Sequence, residues 1–216
     1  MGNYEPEVKS NFMNVIYAAD IGSIKSNNFA WARLACDPYQ INTDSSIHTL
    51  VQAIDSDLAQ GKKVSIGFEC PLFINLPSNP VLLTSARKGE GSRAWSAGAG
   101  CGSLTTGLIE VLWILSELKQ MATYTIEATF SSDCLLNGNA NLMIWEAFVS
   151  SNSKGKSHSE DAIIAVMKFY EKLNSKSLSS DIVVENPYSL AGAALLRSGI
   201  TNNIEVLKEQ CIVVKA

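Results

Sequence analysis

Short apolar runs alternate along the chain with longer segments whose apolar residues recur at helical spacing, and this pattern predicts an α/β protein. Five runs rich in β-branched and aromatic residues predict core strands, at residues 15–20, 29–36, 39–42, 64–69 and 141–149. Three segments with helical periodicity predict helices, at residues 45–59, 105–121 and 158–173. The predicted order is therefore three strands, a helix, a strand, a helix, a strand and a helix.

The start of the last of these helices is marked by a capping box. Ser157 and Glu160 have the Ser-x-x-Glu spacing in which each side chain satisfies backbone N–H groups of the first turn, so the helix is predicted to begin at His158. Glu160 is therefore assigned to helix capping and not to chemistry. Farther along, Pro187 is predicted to open another helix and residues 211–215 to form a last strand. These two elements make a C-terminal αβ extension.

A long segment between the fourth strand and the second helix, at about residues 77–102, shows neither the helical nor the strand pattern. It begins with prolines, contains several glycines and places Trp95 among them. A loop of this length without its own secondary structure is uncommon inside a domain unless it is functional or mobile. We therefore predict an inserted loop that borders a functional site.

The composition is that of one globular domain, with 46% hydrophobic and 18% charged residues in a chain of 216. We assign this domain to residues 13–216 and a flexible leader to residues 1–12. No run approaches the roughly 18 consecutive apolar residues of a membrane span, and the N-terminus lacks the basic and apolar parts of a secretory signal. The five cysteines are scattered without C-x-x-C spacing, which predicts free thiols in a reducing cytoplasm.

The formal net charge of −4 excludes a broadly basic surface, so contact with a nucleic acid would depend on a local basic patch. Arg87, Lys88 and Arg93 in the inserted loop are the candidates for gripping a phosphate. The alternative is that all three are ordinary solvated residues of a loop. The sequence leaves the oligomeric state open, a dimer included.

Acidic residues stand at conspicuous places in the predicted elements. Asp20 and Glu69 end two apolar strands, Glu146 lies within a third, and Asp161 is in the first turn of the last helix. A carboxylate at the end of a buried strand is costly unless a partner compensates its charge. Carboxylates that converge from several elements favour a hard divalent cation such as Mg²⁺ or Mn²⁺, as in two-metal phosphodiester cleavage.

Each of these residues also has a purely structural interpretation. Asp20 could form a turn with its own backbone, Glu69 could end a surface strand, and Glu146 could face solvent. Asp161 could simply favour the positive end of the helix dipole. His158 lies one turn before Asp161 and could assist as a general base or support a ligand, although a histidine at a helix start is commonly a surface residue.

Three of these acids, in their order along the chain, carry a resemblance to the ribonuclease H-like superfamily. Asp20, followed by Gly22 and Ser23, resembles the first metal-binding aspartate of that superfamily, and Glu69 resembles the second acid of RuvC-type Holliday junction resolvases. The Ser157–Ala165 segment, with Asp161, is similar to the start of their last helix.

The chain is more similar still to a family of uncharacterised ribonuclease H-like domains that are usually labelled predicted nucleases. The matching segments are residues 68–72, 145–149, 160–162 and 188–195. The resemblance covers most of residues 14–197, and it rests on the order and spacing of these segments. The glycine-rich part of the insertion has no counterpart in the RuvC-type resolvases.

This resemblance implies a ribonuclease H-like fold, with a mixed five-stranded sheet flanked by helices. It also implies a metal-dependent nuclease in which Asp20, Glu69, Glu146 and Asp161 hold two Mg²⁺ or Mn²⁺ ions and His158 assists. Two alternatives stay open. One is a binding module that has the fold without the activity. The other is an actin-like ATPase or sugar-kinase relative, since the Asp20-Ile-Gly-Ser run resembles the first phosphate loop of those proteins.

Overall fold

A computed structural model describes residues 13, 15–91, 94–149, 153–175 and 178–216. The strands within these ranges are β1 Val15–Asp20, β2 Ala30–Cys36, β3 Tyr39–Asp44, β4 Val64–Phe68, β5 Phe73–Asn75, β6 Ala128–Thr129, β7 Leu142–Phe148, β8 Pro187–Ser189 and β9 Val213–Lys215. The α-helices are α1 Ile47–Ala59, α2 Gly98–Met121, α3 Ser132–Leu136, α4 His158–Asn174 and α5 Leu190–Ser198.

Seven of the strands form one mixed sheet in the order β3-β2-β1-β4-β7-β6, with β9 also paired to β7. The β1–β2 and β2–β3 pairs are antiparallel, and the pairs of β1 with β4, β4 with β7, and β7 with β6 and β9 are parallel. The sheet therefore has two strands more than the five that the sequence predicts. The short strands β6 and β9 pair one after the other along the outer edge of β7, whose backbone groups would otherwise be unpaired.

Helices cover both faces of this sheet and create two cores. Helices α1 and α2 lie on one face, where Ile54 and Leu115 pack in one cluster with Ile66 of β4. Helix α4 lies on the other face, where Phe169 packs in a second cluster with Ile16 of β1. Because side chains alternate along a strand, the register of each strand decides which helical layer a given residue meets.

Strand β1 shows this alternation, and the alternation determines the direction of the Asp20 side chain. Tyr17 and Ala19 belong to the core under α1 and α2, whereas Ile16 and Ala18 belong to the core under α4. Asp20 continues the second set, so its side chain faces the layer of α4. It stands at the carboxyl end of the strand, where the chain leaves the sheet.

The capping prediction for α4 is confirmed at its start. Ser157 accepts a hydrogen bond from the Glu160 N–H at 3.3 Å, and the helix begins at His158. The Glu160 carboxylate, however, accepts from the Lys156 N–H at 2.5 Å and not from the N–H of Ser157. Glu160 thus caps the helix, but it binds the N–H of the residue before Ser157, whereas in the usual capping box it binds the N–H of the N-cap residue itself.

Two predicted helix starts are corrected by the structure. Helix α2 begins at Gly98 and not at residue 105, so the irregular part of the insertion ends at Ala97. A glycine is needed at position 100, because a Cβ there would lie 2.4 Å from the Ala94 carbonyl oxygen. Pro187 begins strand β8 and not a helix, and α5 starts after Ser189, whose side chain accepts from the Gly192 N–H at 3.0 Å.

Helix α2 is, within the described part of the chain, the one helix that is long and apolar enough to cross a membrane by length and composition. It packs against α1 and α5, and its buried residues include Val111, Ile114 and Leu118. A core helix with two packed sides meets the same criteria of length and apolarity. All five cysteines are free thiols, as their spacing predicts.

Candidate metal centre

Three carboxylates meet at the carboxyl ends of the central strands. Asp20, Glu69 and Asp161 each contribute an oxygen that lies within 4.8 Å of the other two. Strands β1 and β4 are parallel neighbours, and the Glu69 N–H donates to the Ala19 carbonyl at 2.8 Å, which sets Glu69 beside Asp20. Asp161 reaches the same place from the first turn of α4. The predicted convergence of these three residues is confirmed.

Burial makes this cluster electrostatically costly. Desolvation and, after it, the charge of Asp20 raise the pKa of Glu69 to about 9. Desolvation also raises the pKa of Asp20, against the opposing effects of His158 and Lys154. Oxygen Oε2 of Glu69 is shielded from solvent and has no hydrogen-bond partner among the described residues. The charges of Asp20 and Glu69, at the ends of two neighbouring strands, are thus only partly compensated.

Two basic side chains approach the cluster from the segment around the start of α4. The Lys154 Nζ lies 3.5 Å from Asp161 Oδ2 and 3.8 Å from Glu69 Oε1. The His158 Nδ1 is hydrogen-bonded to Asp20 Oδ2 at 2.5 Å. The backbone N–H of Gly155 donates to Asp161 Oδ1 at 2.7 Å, so this carboxylate is oriented by the loop that precedes its helix.

The donor set fits a hard divalent cation. All three groups offer carboxylate oxygens, which are the ligands that Mg²⁺, Mn²⁺ and Ca²⁺ prefer. The unpartnered oxygen of Glu69 is the kind of buried polar atom that a bound ion would satisfy. Asp20, Glu69 and Asp161 could therefore hold a metal ion.

Glu146 does not join these residues, contrary to the sequence-based expectation. In the register of β4 and β7 it is opposite Phe68, whose side chain lies in the core under α1 and α2. Glu146 therefore points to the face of the sheet away from Asp161. Its carboxylate binds Arg87 at 2.6 and 2.9 Å and accepts from the Leu72 N–H at 2.9 Å.

The predicted phosphate-binding role of Arg87 is also wrong, because its guanidinium is enclosed by protein. Arg87 is 3% exposed, donates to Glu90 at 2.7 Å and to the Phe73 carbonyl at 3.0 Å, and pairs with Glu146. Four of the five N–H donors of this buried group are thus engaged within the protein. Lys88 is exposed. Arg93 lies outside the described residues.

A cleft of about 330 Å³ opens beside the cluster and gives it access to solvent. Ala99, Ser103 and Thr106, from the first turns of α2, form one wall. The insertion contributes Trp95 and Glu90, so the prediction that it borders the acidic site is confirmed. A cleft of this size accommodates a small ligand or one residue of a polymer.

Two charged residues were not selected from the sequence: Lys154, which lines the cleft, and Glu110, which is buried in α2. Lys154 lies in a loop of glycine, serine and lysine. The only indication that it could reach the acids was its position four residues before His158. Glu110 lies in α2 between Gly107 and Ile114, on the face that carries the buried residues. A charged residue at the spacing of a core position was the available indication.

Comparisons with protein-family models, with curated proteins and with solved structures find no match to this chain. The functional conclusion is therefore carried by the site itself.

Proposed function

We propose that the protein is a divalent-metal-dependent phosphodiesterase with a ribonuclease H-like fold, acting on nucleic acid. The observation that carries this proposal is the three-carboxylate cluster of Asp20, Glu69 and Asp161 at the carboxyl ends of parallel strands, beside an open cleft. Ligand sites of α/β sheets occur at these strand ends. The element order and the sequence resemblance support the superfamily assignment.

Asp20, Glu69 and Asp161 would hold Mg²⁺ or Mn²⁺. When bound, such ions lower the pKa of a water molecule and neutralise the charge of a phosphate. The chain contributes the placement of the ligands. Strand β1 and the start of α4 are joined by the His158–Asp20 hydrogen bond, and the Gly155 N–H orients Asp161. These contacts hold the oxygens close together before any ligand arrives, which lowers the cost of ordering them.

His158 would move the proton in this reaction. Its Nδ1 is hydrogen-bonded to Asp20, and its side chain is 45% exposed at the cleft. The bond to the aspartate fixes the ring orientation and leaves the other ring nitrogen available for a proton. His158 would then accept a proton from water or deliver one to the departing oxygen.

Positive charge at the substrate would come from few residues. Lys154 lines the cleft, and Lys88 is exposed on the insertion. With a net charge of −4 and with Arg87 committed to Glu146, the protein offers little attraction to a long phosphate backbone. This feature favours a second candidate function, a metal-containing binding module without nuclease activity.

Metal titration and cleavage assays test the proposal together. Calorimetry should show Mn²⁺ binding to the wild type and none to Asp20→Asn. Labelled single- and double-stranded DNA and RNA should be cleaved by the wild type with Mg²⁺ or Mn²⁺ and not in EDTA. Metal binding without cleavage of any of these substrates would favour the binding module, and absence of metal binding would reject both functions.

A further inference from the structure

We propose that the cleft binds one unpaired nucleobase on the face of Trp95, so that the substrate is a single-stranded segment and not a continuous duplex. This inference rests on the proposed function, because it assumes that the phosphodiester belongs to a nucleic acid. It gives Trp95, a residue of the insertion, the role of selecting the substrate, separate from the residues that could hold a cation.

Trp95 differs in its surroundings from the other three tryptophans of the chain. Trp31 and Trp145 are buried in the two cores, and Trp113 packs against the core under α1 and α2. Trp95 is half-buried and belongs to neither core, and within the described ranges no ring or cation stacks on it. It lines the cleft. The cleft is therefore the surface left for the face of its ring.

Two hydrogen bonds fix the position of Trp95. Its indole N–H donates to the Ser85 carbonyl at 3.1 Å, and its backbone N–H donates to Glu90 Oε2 at 3.4 Å. Glu90 is in turn bonded to the buried Arg87. The indole N–H is the one polar group of this side chain, so with that group engaged the ring offers a ligand its apolar face. An aromatic face held in this way costs little entropy to order when a planar group stacks on it.

Small residues border the cleft beside Trp95. Ala99, Gly100 and Gly102 line it from the first turns of α2. A Cβ at Gly100 would lie 3.1 Å from the Trp95 Cα, so the helix and the insertion approach each other closely here. Short side chains leave space next to the indole that larger ones would fill. The volume of about 330 Å³ suits one base, and a base within a duplex would have to leave its stack to enter.

The lining of the cleft has two kinds of surface. Asp20 and Glu69 contribute carboxylates that could hold a cation, which would attract a phosphate, whereas Trp95 contributes an aromatic ring. Phosphate and planar base are two parts of one nucleotide. Proteins commonly hold unpaired bases by stacking them on aromatic side chains, without hydrogen bonds to the base edges. In a duplex the faces of each base are covered by its neighbours and are not free to meet Trp95.

Stacking also suits a protein with few basic residues at its cleft. The net charge is −4, and Arg87 is paired with Glu146, so attraction to the phosphate backbone is weak. The contact between a base and an aromatic ring does not depend on the charge of the phosphate. It would therefore supply affinity for a single strand that the surface charge does not.

The competing interpretation is that Trp95 only fastens the insertion through its bond to Ser85. The two interpretations differ in what they require of the side chain. Trp95→Phe retains an aromatic face and loses the N–H that binds Ser85, whereas Trp95→Leu loses both. A stacking residue predicts much weaker binding in the leucine variant than in the phenylalanine variant. A fastening residue predicts equal losses in the two variants.

Fluorescence anisotropy of labelled oligonucleotides tests the inference, in Ca²⁺ and again in EDTA. The probes are oligo(dA), oligo(rA), an abasic deoxyribose-phosphate strand of the same length and the oligo(dA)·oligo(dT) duplex. The wild type should bind at least one of the two single strands more tightly than the abasic strand and the duplex, by roughly tenfold or more. Trp95→Leu should lose this preference, and Trp95→Phe should retain most of it. Trp113→Phe is the matched control and should bind like the wild type.

Several outcomes would overturn the inference. These are a wild type that binds neither single strand, one that binds the abasic strand or the duplex as tightly as the single strands, and equal affinities of Trp95→Leu and the wild type for the single strands. Equal losses in Trp95→Leu and Trp95→Phe would also overturn it and would assign Trp95 to fastening the insertion. If Trp95→Leu does not fold, the comparison of single, abasic and double strands with the wild type decides.

Failure of this inference can be told apart from failure of the proposed function. Metal-dependent cleavage without any preference for unpaired bases would retain the phosphodiesterase and reject stacking on Trp95. Base-dependent binding that Trp95→Leu abolishes, in a chain that binds no Mn²⁺, would reject the phosphodiesterase and support the stacking site.

Discussion

The Arg87 guanidinium binds both carboxylate oxygens of Glu146, and neither side chain has any exposed surface. The same guanidinium bonds Glu90 and the Phe73 carbonyl and lies 4.6 Å from the centre of the Phe73 ring. This network fixes the insertion to strand β7 beneath the cleft. The wall that carries Trp95 is thus held by a buried ion pair and not only by apolar packing.

Breaking this ion pair should be strongly destabilising. Arg87→Met leaves the buried carboxylates of Glu146 and Glu90 without their partner, which we expect to lower the free energy of unfolding by about 3–5 kcal/mol. Urea unfolding measures the change, with Lys88→Met as the neighbouring surface control. The double variant Arg87→Met with Glu146→Gln should recover part of the loss, because it removes one buried charge. Equal stability of Arg87→Met and the wild type would contradict the structural role.

Adjacent acids in the first turn of α4 should behave differently toward metal. Asp161→Asn should weaken Mn²⁺ binding at least roughly tenfold, since it removes a charged ligand from the cluster. Glu160→Gln should leave Mn²⁺ binding unchanged and cost roughly 1 kcal/mol or less of stability, through the cap of the helix. Calorimetric titration and urea unfolding of both variants measure these effects. Equal losses of metal affinity would show that the two acids have been assigned wrongly.

Lys154 should compete with a bound cation. Its ammonium lies within 4 Å of two of the carboxylates, so it compensates their charge in the metal-free protein and repels a divalent ion. Because its side chain is 42% exposed, solvent screening limits the effect to at most about fivefold. Lys154→Gln should therefore bind Mn²⁺ more tightly by up to that factor, while its melting temperature in EDTA should fall.

Lys156→Gln is the matched control for that variant, since it removes the same charge two residues farther along the chain. Its Mn²⁺ affinity should equal that of the wild type. Weaker Mn²⁺ binding by Lys154→Gln than by the wild type would mean that the ammonium supports the metal site and does not compete for it.

Stability of the metal-free protein should fall as the pH rises. The pKa of Glu69 is raised from its ordinary value of 4.5 to about 9, so between these values the folded chain holds a proton that the unfolded chain has lost. Deprotonation then favours the unfolded state, and the destabilisation grows from about pH 4.5 to about pH 9. Urea unfolding in EDTA across this range measures the slope, which should be smaller in Glu69→Gln.

Bound Mn²⁺ should reverse this pH dependence of stability in the wild type. Binding requires the deprotonated carboxylate, so affinity should increase with pH over the same range and protons should be released. Titrations in buffers of different ionisation enthalpy measure that release. A pH-independent affinity with no proton release would contradict the raised pKa of Glu69.

Local sequence patterns are sufficient to predict the elements that carry the three clustered acids. Asp20 and Glu69 end apolar runs that form β1 and β4 because their residues favour buried strands, and Ser157 marks the start of α4 through a local hydrogen bond. Each of these features depends on neighbours along the chain. Carboxyl ends of adjacent parallel strands meet at one edge, so the convergence could be predicted once the order of elements was recognised.

The partners of Glu146 and Arg87, in contrast, follow only from the tertiary structure. Glu146 lies within a strand, and a shift of one residue in register would have turned its side chain toward Asp161. Arg87 bonds Glu146 across 59 residues of sequence. Local patterns indicate which elements form, but the partner of a buried charge depends on which distant surfaces pack together, and that is set by the whole fold.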